Sequence, residues 1–339
     1  MRSVGFARRL PVYRIGGSAS LRTLSTMCGR YAATANPDEL VEEFEVEQDR
    51  TSEPARSILK SPQSPPAGTP DYNLAPSKQA PVVLARVPRD PPRDGSPGDG
   101  SPRDGAQGRA GEPAPVRQLR MLTWGLVPSW AKDVKIGMRM INARAESVLE
   151  KGSFAKAAAS RRCLVPARGW YEWQKSPVSK DAKGNPRKQP FFIHRADGDV
   201  VAFAGLYEFW RDREIADQDD PEAWLTTFTI VTTDADPGLD RIHDRQPLVL
   251  ERDDWATWLD PAVSDPAEVG RLLAFSAPGR FEAYPVGTAV SSNRSNGPQL
   301  IEPAGLDELD GVVDPMTGEI IGGREPADGA GSAGGPNPA

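Results

Sequence analysis

Residues 162–173 read RCLVPARGWYEW, an apolar and aromatic run that shows no helical period and favours extended backbone. Comparable runs lie on both sides, at 80–87 (APVVLARV), 117–124, 190–195, 200–207 and 226–233 (TTFTIVTT), with weaker ones at 246–250 and 283–290. Helical spacing fits only 144–159, 253–259 and 264–275, together with a short segment opened by Asn36-Pro37-Asp38-Glu39. There Asn36 supplies an N-cap, Pro37 the first helical position and Glu39 the acid of a capping box, ahead of Leu40, Val41 and Phe44. Strands outnumber helices and do not alternate with them regularly. The pattern predicts an α+β protein, a single β-rich domain whose mixed, largely antiparallel sheet or barrel is flanked by helices, rather than a doubly wound fold.

The 34 prolines and 32 glycines of this 339-residue chain gather where hydrophobic periodicity disappears. Residues 53–71 read as a Pro- and Ser-rich loop, and 88–117, with seven Pro and six Gly, as a disordered insertion. Residues 1–26 carry five Arg and no acid, resembling a targeting segment without a clear apolar stretch, and Met27 offers a second start. The expected organisation is an extension over 1–26 absent from the mature protein, one domain over 27–302, and an acidic disordered tail over 303–339.

The net charge of −6 argues against a nucleic-acid partner only until it is divided along the chain. Seven acids and one Arg fall in 303–339, and six acids and two Arg in 209–226, whereas 134–188 holds thirteen Lys or Arg against four acids. The basicity is therefore local. Two cysteines, Cys28 and Cys163, cannot make a disulfide framework, and two histidines, His194 and His243, leave too few soft ligands for zinc, so no metal and no other cofactor is expected. No stretch approaches 18 apolar residues, so no membrane span is expected.

Singly, the polar residues in apolar surroundings have plain structural readings. Cys28 could be a small buried hydrophobe, His243 a satisfied core histidine, and Asn142 a helix cap. Glu172 stands apart, because a carboxylate among Trp170, Tyr171 and Trp173 is poorly placed for solvation and burial would raise its pKa. The ordered set decides more. Cys-Gly-Arg-Tyr (28–31), Tyr-Asn-Leu-Ala-Pro (72–76), Trp-Gly-Leu-Val-Pro-Ser-Trp (124–130), Ile-Asn-Ala-Arg-Ala-Glu (141–146), the 161–173 segment, Thr-Thr-Asp-Ala (232–235) and His-Asp-Arg-Gln-Pro (243–247) follow one another.

In these motifs the sequence resembles the SOS-response-associated peptidase family, also called abasic-site processing proteins, over roughly residues 27–302. The resemblance implies a compact β-rich fold whose N-terminal cysteine reacts with abasic sites in single-stranded or junction DNA. By motif position Cys28 would be the nucleophile, surrounded by Asn142, Glu172 and His243. Arg30, Arg144 and Arg245 would meet phosphates, Pro76 and Trp130 would hold bases, and Asn73 would join the DNA surface. Cys163 and His194 are expected to be structural. Family members begin Met-Cys, here displaced by 26 residues, and Ala131 and Gln246 depart from residues common in relatives. A monomer acting in the cytoplasm, at the nucleoid, is the accompanying expectation. Two other readings stay open: a cysteine peptidase acting on its own N-terminal segment through Cys28 and His243, and a noncovalent single-stranded DNA-binding module.

Overall fold

The computed structural model describes residues 29–58, 68–87, 114–274 and 279–321. Its elements run β1 (Tyr31–Ala33), α1 (Pro37–Glu43), β2 (Gln48–Asp49), β3 (Asp71–Leu74), β4 (Gln79–Arg86), β5 (Val116–Trp124), β6 (Asn142–Arg144), α2 (Ala155–Ser160), β7 (Arg162–Ala167), β8 (Gly169–Lys180), β9 (Pro186–Arg195) and β10 (Val201–Arg211). They continue with β11 (Trp224–Asp234), β12 (Arg245–Pro247), α3 (Arg252–Leu259), α4 (Pro266–Leu273), β13 (Phe281–Pro285), β14 (Val312–Val313) and β15 (Ile320–Ile321). The fold is the β-rich arrangement with few helices that the sequence pattern predicts.

Strands β4, β5, β11, β10 and β7 form a small mixed barrel. Antiparallel pairs join β5 to β4, β4 to β7, β7 to β10 and β10 to β11, and the parallel pair β11 with β5, Thr227 beside Thr123, closes the ring. Strand β6 adds to β11 in parallel and β12 in antiparallel fashion. A second, antiparallel sheet has the order β13-β9-β8-β1-β3.

The decisive run 162–173 proves to be two strands in different sheets, β7 in the barrel and β8 in the second sheet, with a corner at Arg168. Gly169 makes that corner feasible, because a Cβ there would lie 2.4 Å from the Ile193 carbonyl oxygen and 2.6 Å from the Phe192 ring. Between the sheets, Tyr31 meets Trp124 and Phe203 edge to face at centroid distances of 5.2 and 5.8 Å, and Trp170 joins Phe203 at 6.0 Å. Such pairs add about 0.5–1.5 kcal/mol each to the area they bury.

On the barrel's other flank, Phe44, the C-cap of α1, stacks on Trp255 of α3 at 4.4 Å. Arg162 is buried there and caps two helix ends, donating from Nε to the Trp258 carbonyl, from Nη1 to the Ala158 and Ala159 carbonyls and from Nη2 to that of Asp260. Burial pulls its pKa down to about 10, while the carbonyls of two C-terminal turns supply the compensating negative end.

Three boundaries differ from the sequence expectation. The helix expected over 144–159 is a 3-10 turn at Ala145–Ser147 and the short α2, separated by a segment that contains Gly152, whose lack of a side chain weakens helix. Strands β8 and β9 extend through the polar 174–189 as a hairpin closed by Asp181, which accepts from the backbone N–H of Lys183 and Asn185, and by Gly184 at φ 80°. The expected disordered tail is ordered over 303–321, where Leu309 and Val312 are buried and β14 pairs with β15. Residues 1–28, 88–113 and 322–339, which contain the extension, most of the insertion and the rest of the tail, lie outside the described residues.

Candidate functional site

Cys28 lies outside the described residues, but the chain that follows it is fixed. Tyr31 pairs with Trp170 and Leu74, so β1 is threaded between β8 and β3. The Tyr171 backbone N–H donates to the Arg30 carbonyl at 3.0 Å, so the chain just ahead of β1 already runs beside β8, next to the residue that precedes Glu172. Glu172 is 2% exposed, held in β8 opposite Phe191 of β9.

Tyr31 also leads to Asn142. The Trp124 indole N–H, on the ring that Tyr31 packs against, donates to the Ile141 carbonyl at 2.8 Å, and the Ile230 backbone N–H donates to the same oxygen at 3.1 Å. These bonds fix the start of β6, where Asn142 pairs with Ile230. Trp124 is wholly buried and acts through packing.

His243 follows a 3-10 turn at Leu239–Arg241, and its backbone N–H donates to the Leu239 carbonyl at 3.1 Å. Gln174 of β8 donates to the Arg241 carbonyl at 3.2 Å and so ties that turn to the strand of Glu172. The His243 ring lies 3.1 Å from the exposed Asp244 carboxylate through Nδ1, the nitrogen that also accepts from the Arg245 backbone N–H at 3.1 Å. Burial lowers its pKa most, with Lys175 and Arg245 pushing the same way and Asp244 opposing. Burial therefore favours the neutral imidazole near pH 7.

The residues expected to contact DNA divide by exposure. Trp130 is 59% exposed, Arg144 is exposed, and Pro76 is half-buried before Ser77, which adopts φ 73°. Arg30 is half-buried; burial lowers its pKa, opposed by Asp71. Two of the expected contacts have partners within the protein. Asn73 is fully buried, and its Nδ2 donates to the Val290, Ser292 and Ser295 carbonyls at 3.2, 2.8 and 3.0 Å, so it anchors the 288–295 loop. Arg245 is 8% exposed, engaged by Glu146 and Asp234 rather than open to solvent.

A family model described as SOS response associated peptidase (SRAP) matches residues 27–293. The chain belongs to this SRAP family. Abasic site processing protein YoqW of Bacillus subtilis is 35% identical over 276 residues, covering 81% of this chain and 99% of that protein. Mouse abasic site processing protein HMCES is 28% identical over 304 residues, covering 83% and 77%. A solved protein structure from Bacteroides thetaiotaomicron, 22% identical, covers 82% of this chain and 100% of its own with a TM-score of 0.58, so the two share a fold.

Several residues around the ordered motifs have structural partners that the sequence alone does not reveal. Asp71, directly before the Tyr-Asn-Leu-Ala-Pro motif and paired with Ala33 of β1, is buried and accepts from Lys78 Nζ at 2.8 Å. Glu146 and Asp234 lie inside quoted motifs but show their role only through Arg245. Gln246 is buried and accepts from the Asp236 backbone N–H at 2.9 Å, a structural use. Cys163 is buried, its thiol pushed far up by burial, and His194 stacks on Phe192. Among the described residues no group of His, Cys, Asp and Glu gathers to hold a metal ion, and no helix is long and apolar enough to cross a membrane.

Proposed function

We propose that this SRAP protein captures abasic sites in single-stranded or junction DNA by closing a thiazolidine between the sugar aldehyde and an N-terminal Cys28. The observation that carries the reading is the Arg30–Tyr171 register, which runs the chain following Cys28 along the strand that buries Glu172. The names of YoqW and HMCES support the same substrate, and a family match that starts at Met27 supports an active chain starting there.

A free α-amine, with a pKa of about 7.7–8.0 against about 10.4 for lysine, offers roughly two orders of magnitude more neutral amine at pH 7. The Cys28 nitrogen adds to the aldehyde carbon, and the carbinolamine loses its hydroxyl as water to give an imine. Sγ then adds to the imine carbon while the thiol proton passes to nitrogen. One C–N and one C–S bond form, the C=O bond is lost and one water leaves, so no redox partner is required. The second closure is intramolecular and the five-membered ring resists hydrolysis better than the imine.

In this reading the Nε2 proton of neutral His243 meets the sugar ring oxygen as the hemiacetal opens. Glu172 moves protons between the amine and the departing water, and Asn142 orients the reacting groups. Arg144 and Arg30 follow the phosphates, and Trp130 and Pro76 receive bases. The protein works as a monomer at cytoplasmic DNA without metal or other cofactor.

The test is a denaturing gel with abasic DNA, read beside the intact mass of protein and adduct. A heat-stable adduct whose mass equals chain plus DNA minus one water is expected; only dissociable binding would leave a noncovalent module. The family description as a peptidase favours one second reading, in which Cys28 and His243 remove the N-terminal segment. Loss of that segment in the wild type but not in Cys28→Ala would support it.

A further inference from the structure

Arg245 stands at a motif position expected to meet phosphate, yet its four terminal N–H bonds are already engaged. Nη1 donates to Glu146 Oε1 at 2.7 Å and to Asp234 Oδ1; Nη2 donates to Glu146 Oε2 at 2.9 Å and to the Thr232 carbonyl at 2.7 Å. The remaining Nε is buried, with no hydrogen-bond partner among the described residues. Three carboxylate oxygens thus face one guanidinium, close to the charge and fork geometry that a phosphate presents.

The three side chains differ in access. Arg245 is 8% exposed, Glu146 50% and Asp234 86%. Glu146 grips both terminal nitrogens and fixes the plane of the guanidinium. Asp234, at the end of β11 and paired in register with Arg245, holds one nitrogen only and stands in solvent. An ion pair with so exposed a partner is worth little net free energy and is cheap to break. The exposed Arg144 stands near enough to help hold the Glu146 carboxyl below its ordinary range, an effect in which burial is the largest, opposing influence and the Arg245 hydrogen bond the strongest favourable one.

We propose that Asp234 occupies the phosphate position of Arg245 in the unbound protein, and that a DNA strand binds by displacing this carboxylate while Glu146 keeps the guanidinium aimed. The inference rests on the DNA-capture reading and adds a residue that sets strand affinity. A ligand without a phosphate of matching charge cannot compete for Arg245, so an isolated sugar aldehyde would leave the pair closed.

The experiment measures binding of the full-length chain to an intact single-stranded oligonucleotide by fluorescence anisotropy over a salt series. Asp234→Asn should tighten binding about three- to tenfold at low salt, through loss of a competing charge. Asp234→Ala should do the same with no side-chain amide left to bond Arg245. In an Arg245→Ala background neither change should alter affinity. Unchanged or weaker binding by Asp234→Asn and Asp234→Ala would overturn the inference, provided the wild type still binds in a salt-dependent way and Arg144→Ala weakens it. If the wild type shows no salt-dependent binding at all, the DNA reading itself falls.

Discussion

The Arg30 carbonyl accepts from the Tyr171 backbone N–H at 3.0 Å, which holds the segment ahead of β1 against β8 beside the residue that precedes Glu172. A buried acid beside the first residues after Cys28 serves proton transfer better than DNA contact, since at 2% exposure Glu172 cannot reach a phosphate. Glu172→Gln keeps the shape and removes the titrating proton. It should slow adduct formation by about 10²-fold or more, with affinity for intact single strands within about twofold. Rates from quenched denaturing gels and affinities from anisotropy check this; parallel losses would assign Glu172 to folding or binding.

Burial, assisted by Lys175 and Arg245, holds the His243 pKa below its ordinary value of 6.5. In the unfolded chain the ring titrates normally, so as pH falls through the ordinary histidine range the unfolded state takes a proton first. His243 therefore costs no stability above that range and lowers stability as pH falls from the unfolded pKa to the folded one. Ring proton shifts followed by NMR should show His243 charging at lower pH than a model histidine. Lys175→Ala should move that midpoint upward, and a midpoint unmoved or shifted down would show that the Lys175 charge does not reach the ring.

Asn73 was the expected DNA contact that the fold turned inward. Its side-chain amide holds three carbonyls of the 288–295 loop, and its removal would leave buried acceptors unpaired at about 1–3 kcal/mol. Asn73→Ala should lower the denaturant midpoint accordingly and leave strand affinity below the unfolding transition unchanged. A stable variant that binds DNA poorly would return Asn73 to the interface.

That exchange shows what could be read from the chain alone. Apolar runs such as 226–233 and the capping box at Asn36 announced β11 and α1, because period, propensity and cap chemistry are local. The corner at Arg168–Gly169 was invisible, since both halves of 162–173 look extended and only the approach of Ile193 distinguishes them. The hairpin of 174–189 carries Lys, Ser and Pro and takes its strand character from pairing across β8 and β9. Asn142, Glu172 and His243 could be singled out together only through the ordered motifs, not from any one residue. Whether an arginine is open or countered was not, because Glu146, Asp234 and Arg245 are brought together only by β6, β11 and β12.

Arg144, exposed beside Asn142, keeps a charge available to phosphate. Arg144→Ala should weaken intact single-strand binding and reduce the slope of log affinity against log salt by about 0.7, the value for one lost contact on a single strand. Anisotropy titrations at four or more salt concentrations measure the slope; a weaker but parallel line would mean that Arg144 acts by shaping the site.

The chemistry of Cys28 depends on which residue begins the active chain. Inside a peptide, the Cys28 nitrogen is an amide that cannot form an imine, and the thiol alone can give only a reversible hemithioacetal. A chain started at Met27 needs only ordinary removal of the initiator methionine, because cysteine is small, to expose both nucleophiles on one residue. The SRAP match begins at that methionine, and the described chain after Cys28 enters β1 at Tyr31, beside the strand that carries Glu172. Two proteins test the point: one started at Met27, and one started at Met1 with mass spectrometry confirming that residues 1–26 are retained. The first should give a heat-stable adduct with abasic DNA that Cys28→Ala abolishes and Cys163→Ala preserves. The second should bind the same DNA and release it on denaturation, and an equal yield of heat-stable adduct from the verified uncleaved form would eliminate the aminothiol mechanism.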